Sequence, residues 1–315
     1  MSVFAEPLTV VDSLTAAERV LIIDVSNLAH RSAWAYKDLT LHDGTPSGHV
    51  FGSTRLLISH LSNDFGPSPT LLVFAYDGRG ARARRQEILP AYKATRDSDG
   101  RLNPVPQVKE VFRHIPGLHI EAEGFEGDDV IAAMAEIMSK RGKQTILLTA
   151  DRDMWALMRH PGVRVFSPSK KRFVTLEDIE EEYLTPDPAK IPLVKAIFGD
   201  KSDGISGVFR LLRAHVKPTL NVDTVVDVDT FFAQAERSEI PPKTMAKLAE
   251  SRAAIETNLK VIQPIQGIGV QHVNVVKSTD LNRSYLNIAL LNWGCQSLPA
   301  QTGIFFGDQT FVKEK

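Results

Sequence analysis

A single cysteine, Cys295, stands among 315 residues, which excludes an intramolecular disulfide and any thiolate metal cage. Long apolar runs are missing as well, none approaching the roughly 18 residues of a membrane span. The N-terminal stretch carries acids and lacks the basic n-region of a secretory signal. A soluble intracellular protein of the reducing cytoplasm is therefore expected. No Gly-x-x-x-x-Gly-Lys-Ser/Thr loop is present to cradle a nucleotide's phosphates. Neither sign of charge prevails: Lys+Arg 37 against Asp+Glu 38 leaves a formal net charge of -1. That balance counts against a uniformly basic nucleic-acid binder, though not against a chain whose charges are segregated. The nine histidines show no metal spacing, and Trp34, Trp155 and Trp293 read as packing residues.

What is present suffices for a large core, since 43% of residues are hydrophobic. Arg19 to Asp24, Leu71 to Asp77, Thr145 to Thr149 and Val163 to Phe166 are short apolar runs suited to strands buried on both faces. Helical patterns over Gly48 to Ser62, Val105 to Ile115 and Asp128 to Arg141 lie between them. The alternation predicts an α/β fold with a mostly parallel central sheet flanked by helices. Beyond about Leu176 the texture turns helical, with helices expected over Glu177 to Tyr183, Ile191 to Phe198, Asp229 to Glu236 and Lys243 to Leu259. A division is read near residue 185: a core over 1–185, a helical region over 186–265 and a tail of unassigned role over 266–315.

Nine acids fall where the predicted strands run out: Asp24, Asp77, Glu126, Asp128, Asp129, Asp151, Asp153, Asp200 and Asp203. Each alone has an ordinary explanation as a helix cap or turn residue. Their joint occurrence on a βαβ scaffold favours a shared cation site, because gathered carboxylates repel one another and need counter-charge. An oxygen-only ligand set selects magnesium or manganese over zinc. A basic segment follows Asp77: Arg79, Arg82, Arg84 and Arg85, then Tyr92, Lys93 and Arg96. Acids that hold cations beside a basic stretch suit a phosphodiester substrate, with Tyr92 placed to stack on a base.

The order of these motifs resembles the metal-dependent 5′-3′ exonucleases and flap endonucleases, both the bacteriophage enzymes and the N-terminal nuclease domain of bacterial DNA polymerase I. Leu21 to Arg31, with Asp24, is similar to that family's first strand and metal aspartate, and Phe74-Ala-Tyr-Asp77 to its second. Arg85-Gln-Glu87-Ile-Leu-Pro90-Ala-Tyr92-Lys93-Ala-Thr-Arg96 resembles the basic arch, placed at about 79–104. Glu126-Gly-Asp128-Asp129 stands where the family has Glu-Ala-Asp-Asp, and Thr149-Ala-Asp151-Arg-Asp153 where it has Thr-x-Asp-x-Asp. Gly199-Asp200-Lys-Ser-Asp203-Gly-Ile-Ser-Gly207-Val208 resembles its Gly-Asp-x-x-Asp-Asn-x-x-Gly-Val.

The resemblance implies a PIN-like nuclease core and hydrolysis of phosphodiesters with two ions, Mg2+ or Mn2+. One ion is expected on Asp24, Asp77, Glu126 and Asp128. The other is expected on Asp151, Asp153 and Asp203, with Asp129 and Asp200 as near or outer-shell partners. Lys93 and Arg85 are expected to offset charge on the scissile phosphate, and Arg82, Arg84, Tyr92 and Arg96 to contact nucleic acid. One departure stands out: the family's Gly-Ile-Gly hairpin after Gly-Val is replaced by Phe209-Arg210-Leu211-Leu212-Arg213, so Arg210, Arg213 and Lys217 are candidates to contact the duplex by side chains. Expected partners are DNA with 5′ ends or flaps, with RNA–DNA hybrids left open, and the chain is expected to act as a monomer. It is read as a stand-alone enzyme of the bacteriophage type, in the host cytoplasm if so. Alternatives are a PIN-type ribonuclease, which would need fewer acids and no arch, and a non-catalytic nucleic-acid-binding protein, which need not have kept all nine acids.

Overall fold

The computed structural model describes residues 19–65, 70–94, 103–268, 273–277 and 282–307. Strand β1 (Arg19–Asp24) leads into helices α1 (Val25–Ala35) and α2 (Gly48–Asn63), then strand β2 (Thr70–Tyr76). Helices α3 (Ala83–Ile88) and α4 (Val105–Phe112) precede β3 (Leu118–Ala122), α5 (Gly127–Lys140) and β4 (Gln144–Leu148). After a 3-10 segment (Asp153–Arg159) come β5 (Val163–Ser167), β6 (Arg172–Phe173), α6 (Leu176–Tyr183) and α7 (Ile191–Phe198). A small hairpin of β7 (Gly199–Asp200) and β8 (Ile205–Ser206) follows, then α8 (Arg213–Leu220), α9 (Val228–Ala235) and α10 (Pro242–Ile262). Strand β9 (Val273–Lys277), helix α11 (Arg283–Asn292) and a 3-10 segment (Pro299–Phe306) follow.

The main sheet has the order β6-β5-β4-β1-β2-β3-β9. Its five inner strands are parallel and its two edges antiparallel. The chain builds from β1 through β2 to β3 on one side, then crosses to β4 and β5 on the other. The order therefore reverses between β1 and β4, and a crevice opens outside the carboxyl ends of the strands there.

The apolar runs form strands because both sheet faces are covered. Val20 and Ile22 of β1 enter one hydrophobic cluster while Leu21 and Ile23 enter the other. The first cluster includes Val130 and Met134 of α5, Val194 of α7, Phe231 of α9 and Leu248 of α10. It crosses residue 185 without a break. The second includes Leu28, Leu57, Val108, Leu286 and Leu290, so α11 covers the opposite face beside α1, α2 and α4. Truncating fully buried Leu21 to alanine would cost roughly 2–5 kcal/mol, and strands on both sides of the switch point would feel it.

Two expectations about aromatic and basic side chains are refined. Trp155 is buried and meets Tyr183 edge-on at 6.2 Å between ring centroids, as a packing residue should. Trp34 is 82% exposed and does not pack. His119 is a core histidine: it lies 3.0 Å from the Tyr76 hydroxyl and 3.0 Å from the Ile115 carbonyl. Burial pushes it down to about 4, so it stays neutral at physiological pH. Among the described residues, no helix is long and apolar enough to cross a membrane.

Candidate metal centre

Asp24 ends β1 and Asp77 follows β2, while Asp151 and Asp153 follow β4, so four acids reach the crevice from three neighbouring strands. Capping and site-building coexist here. Asp24 caps α1 by accepting from the Asn27 amide at 2.9 Å, and its other oxygen accepts from the Thr149 hydroxyl at 2.8 Å. The Gly127 amide at the start of α5 donates to Asp77 at 2.7 Å. A Cβ at residue 127 would lie 3.2 Å from that Asp77 oxygen, so glycine allows the close approach. Asp151 accepts from the Asp153 amide at 2.8 Å, and Asp200 from the Ser202 amide at 2.8 Å.

The β7–β8 hairpin carries Asp200 and Asp203 to the same place. Gly204 has φ +72°, and a Cβ on it would fall 2.4 Å from the Ala91 carbonyl oxygen. Glycine is required there for the turn and for the approach of the segment from Leu89 to Ala94. Next to it the Lys93 amide donates to the Asp203 carbonyl at 2.9 Å, with Lys93 itself at φ +49°. The carboxylates of Asp153, Asp200 and Asp203 bring ligand oxygens within 4.8 Å of one another. A cavity lined by Tyr92, Asp128, Asp153, Lys195 and Asp203 brings Asp128 to the same space as two of this trio.

Electrostatics shows a cluster short of positive charge. Burial raises the Asp24 carboxyl to about 7, helped by the charges of Asp151 and Asp77 and opposed by the Asn27 and Thr149 hydrogen bonds. Burial also holds Asp128 well above the carboxylate range, with Asp151 and Asp24 adding to the effect and Lys93 opposing it. Asp153 is raised by burial and by Asp151. Asp151 thus repels three neighbours and stands at the electrostatic centre. Burial alone would raise Asp200, but Lys195 and Ser202 outweigh it and hold Asp200 at about 2. These donors are all oxygens, and three of the acids carry raised affinities for protons that a hard divalent cation would displace. The residues fit such an ion.

Three of the candidate residues lie in a buried network beside the cavity. Arg85, expected at the scissile phosphate, is 3% exposed and fully engaged. It donates to both Asp129 oxygens at 2.8 and 2.7 Å, to Glu126 at 2.9 Å and to the Val261 carbonyl at 2.8 Å. Asp129 is consumed by the same lock, since it also accepts from the Glu126 amide at 3.0 Å and the Ile265 amide at 2.7 Å. Both lone-pair sets of Asp129 face protein donors, not the cavity. Tyr92, expected to stack on a base, is buried, with its hydroxyl donating to Glu126 at 2.8 Å. Lys93 is buried as well and reaches Glu126 at 2.8 Å. Burial alone would raise Glu126, but Lys93 and Arg85 outweigh it and keep it below its ordinary value.

The basic candidates also separate. The Arg84 guanidinium lies over the Phe125 ring at 4.2 Å. Arg82 sits at the start of α3 on the arch, and Arg96 lies outside the described residues. Arg213 donates to the Glu182 carbonyl at 2.6 Å and Lys217 meets Glu180 at 3.0 Å, so both brace α8 against α6. Arg210 is different: it is exposed, at φ +51°, with its guanidinium 5.0 Å from the ring of Phe209, itself 73% exposed. Sequence reasoning missed Lys195, whose ammonium bridges Asp153 and Asp200. The available signal was a lone cation inside the apolar helix Ile191–Phe198, five residues before Asp200.

The pattern that defines the 5'-3' exonuclease N-terminal resolvase-like domain matches residues 19–184. The chain belongs to that family. It is 30% identical over 189 residues to a 5'-3' exonuclease of Aquifex aeolicus, covering 59% of this chain and 63% of the relative. It is 29% identical over 197 residues to a DNA polymerase I of Caldicellulosiruptor bescii, covering 60% of this chain and 23% of that one. The chain thus spans less than two thirds of the length of either relative. In three dimensions it is similar to the T5 5'-exonuclease with divalent metal ions (zinc) bound: TM-score 0.60, 19% identity, 91% of this chain and 98% of that chain. A bacteriophage T5 flap endonuclease in a complex with DNA and metal ions gives TM-score 0.57 at 19% identity, over 91% of this chain and 98% of that one.

Proposed function

We propose that the chain is a divalent-metal-dependent nuclease that hydrolyses DNA phosphodiesters at 5′ ends or 5′ flaps. The observation that carries this reading is the convergence of Asp24, Asp128, Asp151, Asp153, Asp200 and Asp203 on one crevice, where burial and mutual repulsion drive three carboxyls upward. Asp24, Asp77, Asp128 and Glu126 would hold one ion, and Asp151, Asp153, Asp200 and Asp203 a second, with Mg2+ or Mn2+ favoured by the oxygen donors. Ions bound there supply positive charge at the scissile phosphate and acidify water.

The remaining roles belong to the chain's own residues. Thr149 and Asn27 fix the rotamer of Asp24 through its two oxygens. Lys93, aimed at Glu126 from the arch, is the cation placed to offset charge on a phosphoryl oxygen. Arg85 and Asp129 position Glu126 and the start of α5, and join them to the end of α10. Residues up to about 185 supply the acids of the first site, and residues 186–265 add Asp200, Asp203 and the exposed Phe209-Arg210 tip, which is suited to a duplex contact.

Cleavage of a 5′-labelled flapped duplex, beside its 3′-flapped counterpart, with Mg2+ and with chelator, tests the reading. Metal-dependent cutting confined to the 5′ substrate is expected. Chelator-insensitive cutting, or equal cutting of the 3′ flap, would overturn it. Cutting of an RNA–DNA hybrid in preference to DNA would reassign the substrate.

A further inference from the structure

Lys195 lies on α7, whose residues Ile191 to Ile197 are all buried, and is itself 7% exposed. A lysine on such a face is costly unless its charge is met, because desolvation of an ammonium exceeds what packing returns. Here the charge is met by both oxygens of Asp153 and by one oxygen of Asp200 at 2.5 Å. Asp153 and Asp200 are two of the three acids whose ligand oxygens converge with Asp203. The ammonium therefore occupies ground that a cation shared by the trio would need. Lys93 plays a similar part toward Glu126. Each half of the acidic cluster thus carries one buried lysine.

We infer that Lys195 is a resident counter-ion of the second metal site, holding Asp153 and Asp200 together in the metal-free protein and competing with the divalent ion for them. The inference rests on the proposed metal-dependent function. A +1 ammonium and a +2 ion on the same carboxylates repel each other at contact distance, so loading drives the Lys195 side chain away from Asp153 and Asp200. Two consequences follow. The second ion binds more weakly than its oxygen set alone would dictate, and loading exposes the Lys195 amine.

Calorimetric titration of Mn2+ into wild type and Lys195→Met, without DNA, reads the first consequence. The weaker of two sites should tighten on the order of tenfold or more in the variant, since a unit charge at contact distance opposes the ion in wild type. Unchanged or weakened binding at that site, with two ions still bound by both proteins, would overturn the inference and leave the metal reading intact. No Mn2+ uptake by wild type would overturn both. The second consequence needs no variant: acetic anhydride labelling of wild type, read by peptide mass spectrometry, should modify Lys195 several-fold more with Mn2+ than with chelator. Equal labelling would overturn the inference even if Lys195→Met failed to fold.

Discussion

Asp129→Ala should unfold the metal-free protein far more readily than removal of an acid that faces the cavity. Asp129 is 1% exposed and accepts four hydrogen bonds: two from Arg85, one from the Glu126 amide and one from the Ile265 amide. Its loss leaves a buried guanidinium with only Glu126 and main-chain carbonyls as partners. Breaking a buried ion pair from one side costs about 3–5 kcal/mol. Loss of the reciprocal cap at the start of α5 adds roughly 1 kcal/mol. At about 2–4 °C per kcal/mol for a chain of this size, the melting temperature should fall on the order of 10 °C. Asp151→Asn makes the contrast: Asp151 raises the proton affinity of Asp24, Asp128 and Asp153. Relieving that repulsion should stabilise the metal-free protein by about 1 kcal/mol or more, the worth of one pKa unit. Urea unfolding in chelator, followed by circular dichroism, decides between them. An Asp129→Ala midpoint equal to wild type, or a lowered midpoint for Asp151→Asn, would refute this division between lock and site.

Three further outcomes are expected. The Asp24 carboxyl is raised from 3.8 to about 7, so in the metal-free protein the folded state holds this proton while the unfolded state releases it; stability should fall as pH rises between those values. Divalent-ion affinity should rise across the same window, because ligation displaces the proton, and melting curves with and without Mn2+ at several pH values check both signs. Arg210→Ala should weaken duplex binding and reduce its salt slope by about 1, whereas Phe209→Ala should cost roughly 1–3 kcal/mol if the ring stacks on a base; fluorescence anisotropy against salt reads each. Arg213→Ala, by contrast, should lower thermal stability and leave duplex affinity unchanged, because this side chain is tied to the Glu182 carbonyl.

The inner strands were legible because burial on both faces demands an unbroken apolar run, as Val20 to Ile23 shows by feeding two clusters. Strand β3 escaped that logic: His119 and Glu121 interrupt its apolar pattern, and only the Tyr76 hydroxyl and the Ile115 carbonyl make a buried His119 tolerable. Helix α1 was missed because its apolar positions, Val25, Leu28 and Ala29, are few and small, while its N-terminus is set by the same Asp24 that reads as a site residue. Helix α11 and strand β9 depend on partners distant in sequence, α4 and β3, which no local pattern announces.

The acids themselves could be read from type and order, but their division of labour could not. A carboxylate's position in the chain does not say whether a buried arginine or an open cavity faces it. Asp128 and Asp129 are adjacent, yet on α5 adjacent residues point about 100° apart, so one enters the crevice and the other turns toward Arg85. The same geometry explains why nine acids tolerate one another before any ion binds. Arg85, Lys93 and Lys195 are all buried, and each is paired with one or two of the acids. Three internal cations do not neutralise nine acids, and burial, with the remaining excess adding to it, lifts Asp24, Asp128 and Asp153. The fold bears that repulsion through two apolar clusters that meet at β1, beside the acids they hold together. Divalent ions should therefore raise stability as well as supply chemistry, and Lys195 sets how much of that gain the second ion must share with a charge already in place.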